Sequence, residues 1–90
     1  MILRIVSRGL TPDVYESLRA RTDIDHKHPL GLIMHGASQT DGLMMVAQVW
    51  EEAQYAERFD EDILIPALEE LELPLQADVK IFELRHLVTP

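Results

Sequence analysis

The spacing of apolar and polar positions changes character several times along the chain. Ile2-Leu3-Arg4-Ile5-Val6-Ser7-Arg8 is short, rich in β-branched residues and closed by Gly9, which predicts a strand. Thr11-Pro12-Asp13 then has the form of a helix start, with a hydroxyl at the N-cap, proline at the first helical position and an acid in the first turn. Val14, Tyr15, Leu18 and Thr22 follow at spacings of three and four, so they are the inward candidates of a helix running to about Thr22. Residues 23–29 are a polar connector, and Pro29 disfavours a helical residue before it. Leu30 to Ala37 predicts a second strand and Leu43 to Trp50 a third, joined by a turn over Ser38 to Gly42 whose Asp41-Gly42 pair suits positive φ. Glu51 opens a second helical stretch, with its acids at the favourable end of the helix dipole. Pro66 should divide that stretch into helices over 51–61 and 66–72, because proline cannot donate to the ladder and crowds the preceding turn. Val79 to Leu87 reads as the last strand, with Val88-Thr89-Pro90 as a tail.

The order β-α-β-β-α-β is that of the ferredoxin-like α+β fold, a four-stranded antiparallel sheet with its helices on one face. At 90 residues it is read as one domain over 1–90, small enough to bury only about two thirds of its unfolded surface. The central hairpin does not alternate as a half-wet sheet should. Leu30, Leu32 and Met34 are apolar, and so are Ile33 and Ala37 on the opposite face; Leu43, Met45, Ala47 and Val49 are apolar, and so are Met44, Val46 and Trp50. Helices cover one face only, so the pattern predicts a second copy of the chain on the other, a homodimer packed sheet to sheet.

Composition narrows the chemistry. The chain has no cysteine, which excludes disulfides, thiolate catalysis and Cys-type metal or redox motifs. Its net charge of −8 argues against a nucleic-acid surface. That charge is concentrated: residues 51–72 hold nine acids against Arg58 alone, while 1–50 and 73–90 are each balanced. This is read as the solvated side of a helix, the other reading being a docking face for a basic partner. Met1-Ile2-Leu3 is followed at once by Arg4, and no stretch reaches signal-peptide or membrane-spanning length, so a cytoplasmic protein with no membrane partner is expected. No P-loop, nucleophile elbow or dinucleotide glycine pattern occurs.

Several features point to one group of proteins. They are Pro29-x-Gly31-Leu32 ahead of the second strand, His35 late within it, the Asp41-Gly42 turn, Val49-Trp50-Glu51 at the strand-to-helix junction, Glu57-Arg58-Phe59, Pro66-Ala67-Leu68 and the closing Leu87-Val88-Thr89-Pro90. In these the chain resembles the small actinobacterial-type proteins of the dimeric α/β barrel superfamily, which includes the antibiotic-biosynthesis monooxygenase-like proteins. The resemblance implies two ferredoxin-like protomers closing a barrel, and a range of activities from cofactor-free oxygenation and isomerisation to haem chemistry; fold does not choose among them. Haem-degrading members rely on an Asn, a Trp and a His, and this chain contains no Asn, so no cofactor is expected.

His35 is the candidate catalytic residue, an imidazole inside an otherwise apolar strand. It is read either as a general base or proton shuttle or, as we favour, as a packed histidine hydrogen-bonded to a neighbour such as Gln48. Trp50, Tyr15 and Gln48 are the candidate substrate-binding residues; Trp50 and Tyr15 are read first as packing and second as pocket lining. Tyr55 has the same two readings, and Met34, Met44 and Met45 are read as core. His26 and His28 in the Asp23–His28 stretch suggest a metal site at first sight, but alternation points the imidazole pair and the carboxylate pair in opposite directions, so a solvated connector is expected and no metal is assigned. Two functions follow. One is a dimer that binds a small apolar molecule, with monooxygenase-like or proton-transfer chemistry at His35. The other is a non-catalytic dimeric accessory module, which would lack a cavity at His35.

Overall fold

The computed structural model describes residues 1–90. Strand β1 (Ile2–Ser7) leads into helix α1 (Pro12–Thr22) and a single further turn, α2 (Ile24–Lys27). The hairpin follows as β2 (Leu32–Thr40) and β3 (Leu43–Trp50). Helix α3 (Ala53–Phe59) runs through a π-helical turn (Asp60–Leu64) into α4 (Ile65–Glu70), and β4 (Asp78–Glu83) closes the sheet. The strand order is β2-β3-β1-β4, with every neighbouring pair antiparallel. This is the ferredoxin-like α+β arrangement expected from the sequence. No helix is long and apolar enough to cross a membrane.

Local chemistry explains the boundaries. Thr11 stands at the N-cap of α1, but its hydroxyl makes no capping bond; the first turn is closed instead by the Thr11 carbonyl accepting from the Tyr15 N–H. Helix α1 ends where Asp23 takes φ 54° and returns its N–H to the Arg19 carbonyl. The hairpin turn is tighter than the expected 38–42: β2 continues to Thr40, and Asp41 and Gly42 (φ 53° and 78°) alone reverse the chain, the paired positive φ of a type I′ turn. Gly31, at φ 83°, lies under Tyr55, and a Cβ there would collide with the tyrosine ring.

Four expectations need correction. The connector 23–29 contains the turn α2, which brings Ile24 into the core. The second strand starts at Leu32, not Leu30, with a register irregularity between Leu32 and Met34. Pro66 does not divide the second helical stretch. The turn before it widens to π geometry, where the Ile65 N–H donates to the Asp60 carbonyl, and this opening accommodates a residue that would otherwise crowd the carbonyl four back. Finally, β4 ends at Glu83, and beyond the Leu84 N–H bond to the Met1 carbonyl the chain leaves the sheet.

The core is Leu10, Tyr15, Leu18, Ile24, Trp50, Ala56, Phe59, Leu64, Ala67 and Leu68, packed between the helices and one sheet face. Trp50 and Leu68 are fully buried, and Trp50 meets Phe59 with ring centroids 5.5 Å apart. The opposite face carries Leu3 and Ile5 of β1, Met34 of β2, Leu43, Met45, Ala47 and Val49 of β3, and Phe82 of β4. Met34, Leu43, Met45 and Phe82 are 37–49% exposed. Of the three methionines read as core, only Met44 faces the helices; the pairing register turns Met34 and Met45 to the open side.

Candidate functional site

Register builds the site. Gln48 lies opposite Arg4 on one side and His35 on the other, so three neighbouring strands present His35, Gln48 and Arg4 in one row beneath the helices. Two residues further along β1, Val6 shares that face, and the same alternation carries Arg8 inward as the chain leaves the strand. From above, α1 contributes Tyr15, Leu18, Arg19 and Thr22, and the second helical stretch contributes Phe59 and Leu64. Together with Leu10, Ile24, Met44 and Val46 these side chains enclose a cavity of about 60 Å3, partly open to solvent. That is room for a few waters, and its lining is mostly apolar.

The row is a continuous hydrogen-bonded chain. Gln48 Oε1 accepts from Arg4 Nε (3.2 Å), Arg4 Nη2 (2.8 Å) and Trp50 Nε1 (3.0 Å). Arg4, 6% exposed, also donates from Nη1 and Nη2 to the two oxygens of Asp60 at 2.6 and 3.0 Å and lies 5.8 Å from the Trp50 ring centroid. Three donors on one side of Gln48 identify its oxygen, so its amide nitrogen is the atom 3.2 Å from His35 Nδ1. That nitrogen is a donor, and His35 Nδ1 is therefore unprotonated. The hydrogen of neutral His35 resides on Nε2, which donates to the Tyr15 hydroxyl oxygen at 3.1 Å. Tyr15 accepts this bond, and its own hydrogen remains free.

Electrostatics favours the same state. Burial holds the His35 imidazole below its ordinary value; Arg19 adds to the shift, and Asp25 opposes it. Burial likewise raises the Tyr15 phenol, with Arg19 opposing and Glu16 and Asp25 assisting. Near neutral pH the pair is thus an uncharged imidazole and an uncharged phenol.

The structure brings three of the four singled-out residues, His35, Gln48 and Tyr15, to the cavity wall. Trp50 is the correction: it is fully buried and lies behind the cavity, where its N–H fixes Gln48. Tyr55 packs over Gly31 and does not line the cavity. His26 Nδ1 lies 2.7 Å from Asp23 Oδ1, and no group of three His, Cys, Asp or Glu side chains is placed to hold a metal ion. Sequence reading missed Arg4, Arg8 and Asp60. The available signal was that Arg4, Val6 and Arg8 share one parity and Leu3 and Ile5 the other; a strand whose arginines point the same way as its core valine is marking a buried polar site.

No protein-family model and no curated protein matches the chain. Solved structures do. An antibiotic biosynthesis monooxygenase matches with a TM-score of 0.68 at 9% identity, over 96% of this chain and 100% of the other. SnoaB from Streptomyces nogalater, a cofactor-independent oxygenase, matches with a TM-score of 0.62 at 19% identity, over 99% and 94%. A variant of MhuD with two manganese protoporphyrin IX molecules bound per active site matches with a TM-score of 0.65 at 13% identity, over the whole of both chains. The chain has the fold of the antibiotic biosynthesis monooxygenase-like proteins. The residues here do not fit a porphyrin: the cavity of about 60 Å3 is far below the several hundred Å3 that a larger ligand occupies, and both His35 ring nitrogens are engaged.

Proposed function

We propose that the chain is a homodimer that binds a small, largely apolar molecule between its sheet and helices and carries out cofactor-free, monooxygenase-like chemistry on it. The observation that carries this reading is the chain Trp50/Arg4–Gln48–His35–Tyr15, which ends in a free phenolic hydrogen at an apolar cavity. In it Tyr15 is the group that meets the substrate, donating to an oxygen whose negative charge grows as the substrate is activated. His35 is a positioning residue. It donates to Tyr15 from Nε2 and is held in that tautomer by Gln48, so it supports developing charge without being a base in the resting state. A reaction of matching demand converts a CH2 group and O2 into a carbonyl and water; the substrate supplies all four electrons and needs no redox cofactor. The SnoaB likeness in fold supports this class of reaction, and the exposed Met34, Leu43, Met45 and Phe82 support the sheet-to-sheet dimer.

The test is oxygen uptake with a panel of single-ring compounds that carry an acidic CH2 group, such as 1,3-cyclohexanedione, comparing the wild type with Tyr15→Phe and His35→Gln. We expect uptake above the uncatalysed rate, reduced about 100-fold in Tyr15→Phe and about tenfold in His35→Gln. Equal rates in all three proteins would remove the catalytic reading. A folded dimer that neither oxidises nor binds any member of the panel would support the accessory-module reading.

A further inference from the structure

We infer that the ligand of this cavity carries one anionic oxygen, a carboxylate or a phenolate on an apolar body, and that Arg8 is the residue that receives it. The inference rests on the cavity being a ligand site and follows from an inventory of the polar groups on its wall. Those groups belong to Arg4, Arg8, Tyr15, Arg19, Thr22, His35 and Gln48. Arg4 is held by Gln48 and by both oxygens of Asp60. Arg19 is held by Glu16 and Asp25, and the Thr22 hydroxyl donates to the Arg19 carbonyl. His35 and Gln48 are committed to each other and to Tyr15, Arg4 and Trp50. Beyond the second N–H groups of side chains already partnered, two donors remain: the Tyr15 O–H and the Arg8 guanidinium. No carboxylate side chain lines the wall.

Arg8 is the odd member of the molecule. It makes no hydrogen bond or ion pair, and its Nε is buried without a partner. Burial weighs against its charge, Asp60 favours it and Arg4 opposes it. Every other arginine that borders the cavity has a carboxylate. A guanidinium turned into an apolar chamber without one is a site with half of an ion pair in place, and its fork matches a carboxylate in two bonds or a phenolate in one. Tyr15 supplies a second, neutral donor. Neither remaining group offers an acceptor to a ligand ammonium or amide N–H, so the site selects against cationic ligands.

The experiment is amide-resonance titration of the full chain with two isosteric pairs: benzoate against benzamide, and 4-nitrophenolate against 4-nitrotoluene. The anionic member of at least one pair should bind about tenfold more tightly than the neutral one, the pair that responds distinguishing carboxylate from phenolate. Arg8→Met should abolish the difference by weakening the anion alone, and Arg8→Lys should retain part of it. Equal affinities within both pairs, or a preference that survives Arg8→Met, would overturn the inference while leaving the cavity a ligand site. Failure of all four probes to bind would overturn the reading beneath it as well. Should Arg8→Met fail to fold, the wild-type pairs and Arg8→Lys still decide the matter.

Discussion

The two faces of this sheet differ in an unexpected way. The face under the helices is buried and, among Val6, Met44, Val46 and Trp50, holds arginine, glutamine and histidine; the face turned away is partly accessible and is made mostly of leucine, isoleucine, methionine and phenylalanine. With Arg8 excepted, the polar row on the buried face is tolerable because its groups satisfy one another: each polar atom from Asp60 to Tyr15 has a partner of the right sense. The open face has no such resource, and only another apolar surface relieves it. Its charges are confined to the β4 edge, at Asp78 and Lys80. On the proposed reading, the polar residues are where one protomer keeps its chemistry, and the apolar ones are where it meets a neighbour.

The strongest way to break the contrast is to remove one partner of the buried pair. Asp60→Ala strands a guanidinium that is 7% exposed in its side chain and should destabilise the fold by about 3 kcal/mol, read as a fall in the urea midpoint. Next is the open face. Met45→Lys should be nearly neutral to an isolated protomer but should weaken the proposed dimer about 100-fold, visible by light scattering at micromolar concentration; a dimer that withstands the substitution would show that this face is not the interface.

A third test uses pH. Burial lowers the His35 value in the folded state relative to the ordinary 6.5, so between those two values the unfolded chain binds more protons. The stability from keeping His35 neutral is therefore complete above about pH 6.5 and is lost as pH falls from there toward the folded value. Asp25, lowered from 3.8 by Arg19, contributes only in a more acidic window. His35→Leu should cost about 1–2 kcal/mol at pH 7.5, since it strands the Gln48 amide, and should flatten the thermal-unfolding profile below about pH 6.5. The smallest effect has the opposite sign. Arg8→Met replaces an unpartnered, partly buried cation by an apolar chain and should stabilise the fold by about 0.5–1 kcal/mol while impairing binding of the anionic probe, a trade expected of a binding residue and not of a structural one.

Much of the frame was legible because local chemistry wrote it. The Asp41-Gly42 turn, the Thr11-Pro12 helix start and the two-sided apolar hairpin each follow from residues adjacent in sequence. The site was legible only in part. His35 and Gln48 stand out as polar residues in apolar strands, but their contact depends on register, which the irregularity between Leu32 and Met34 helps to set. The Arg4–Asp60 pair joins residues 56 positions apart, a separation at which no local pattern speaks. Pro66 was misread for a different reason: proline's effect was judged against an α-helical ladder, and the ladder there is not α.

That π turn has a consequence for how the protein tolerates change. Along the second helical stretch the buried positions Ala56 and Phe59 stand three apart, the next, Leu64, comes five later, and Ala67 and Leu68 resume the ordinary beat. The five-residue stride is a phase slip. Straightening this stretch into α geometry with every residue kept would rotate everything beyond it by about 100° relative to α3, swinging Ala67 and Leu68 off the sheet, whereas deleting one residue from 60–64 would leave a continuous α-helix with its buried stripe in phase. Any substitution that merely straightens this helix would set its two halves competing for one orientation, with Asp60, the anchor of Arg4, at the joint between them.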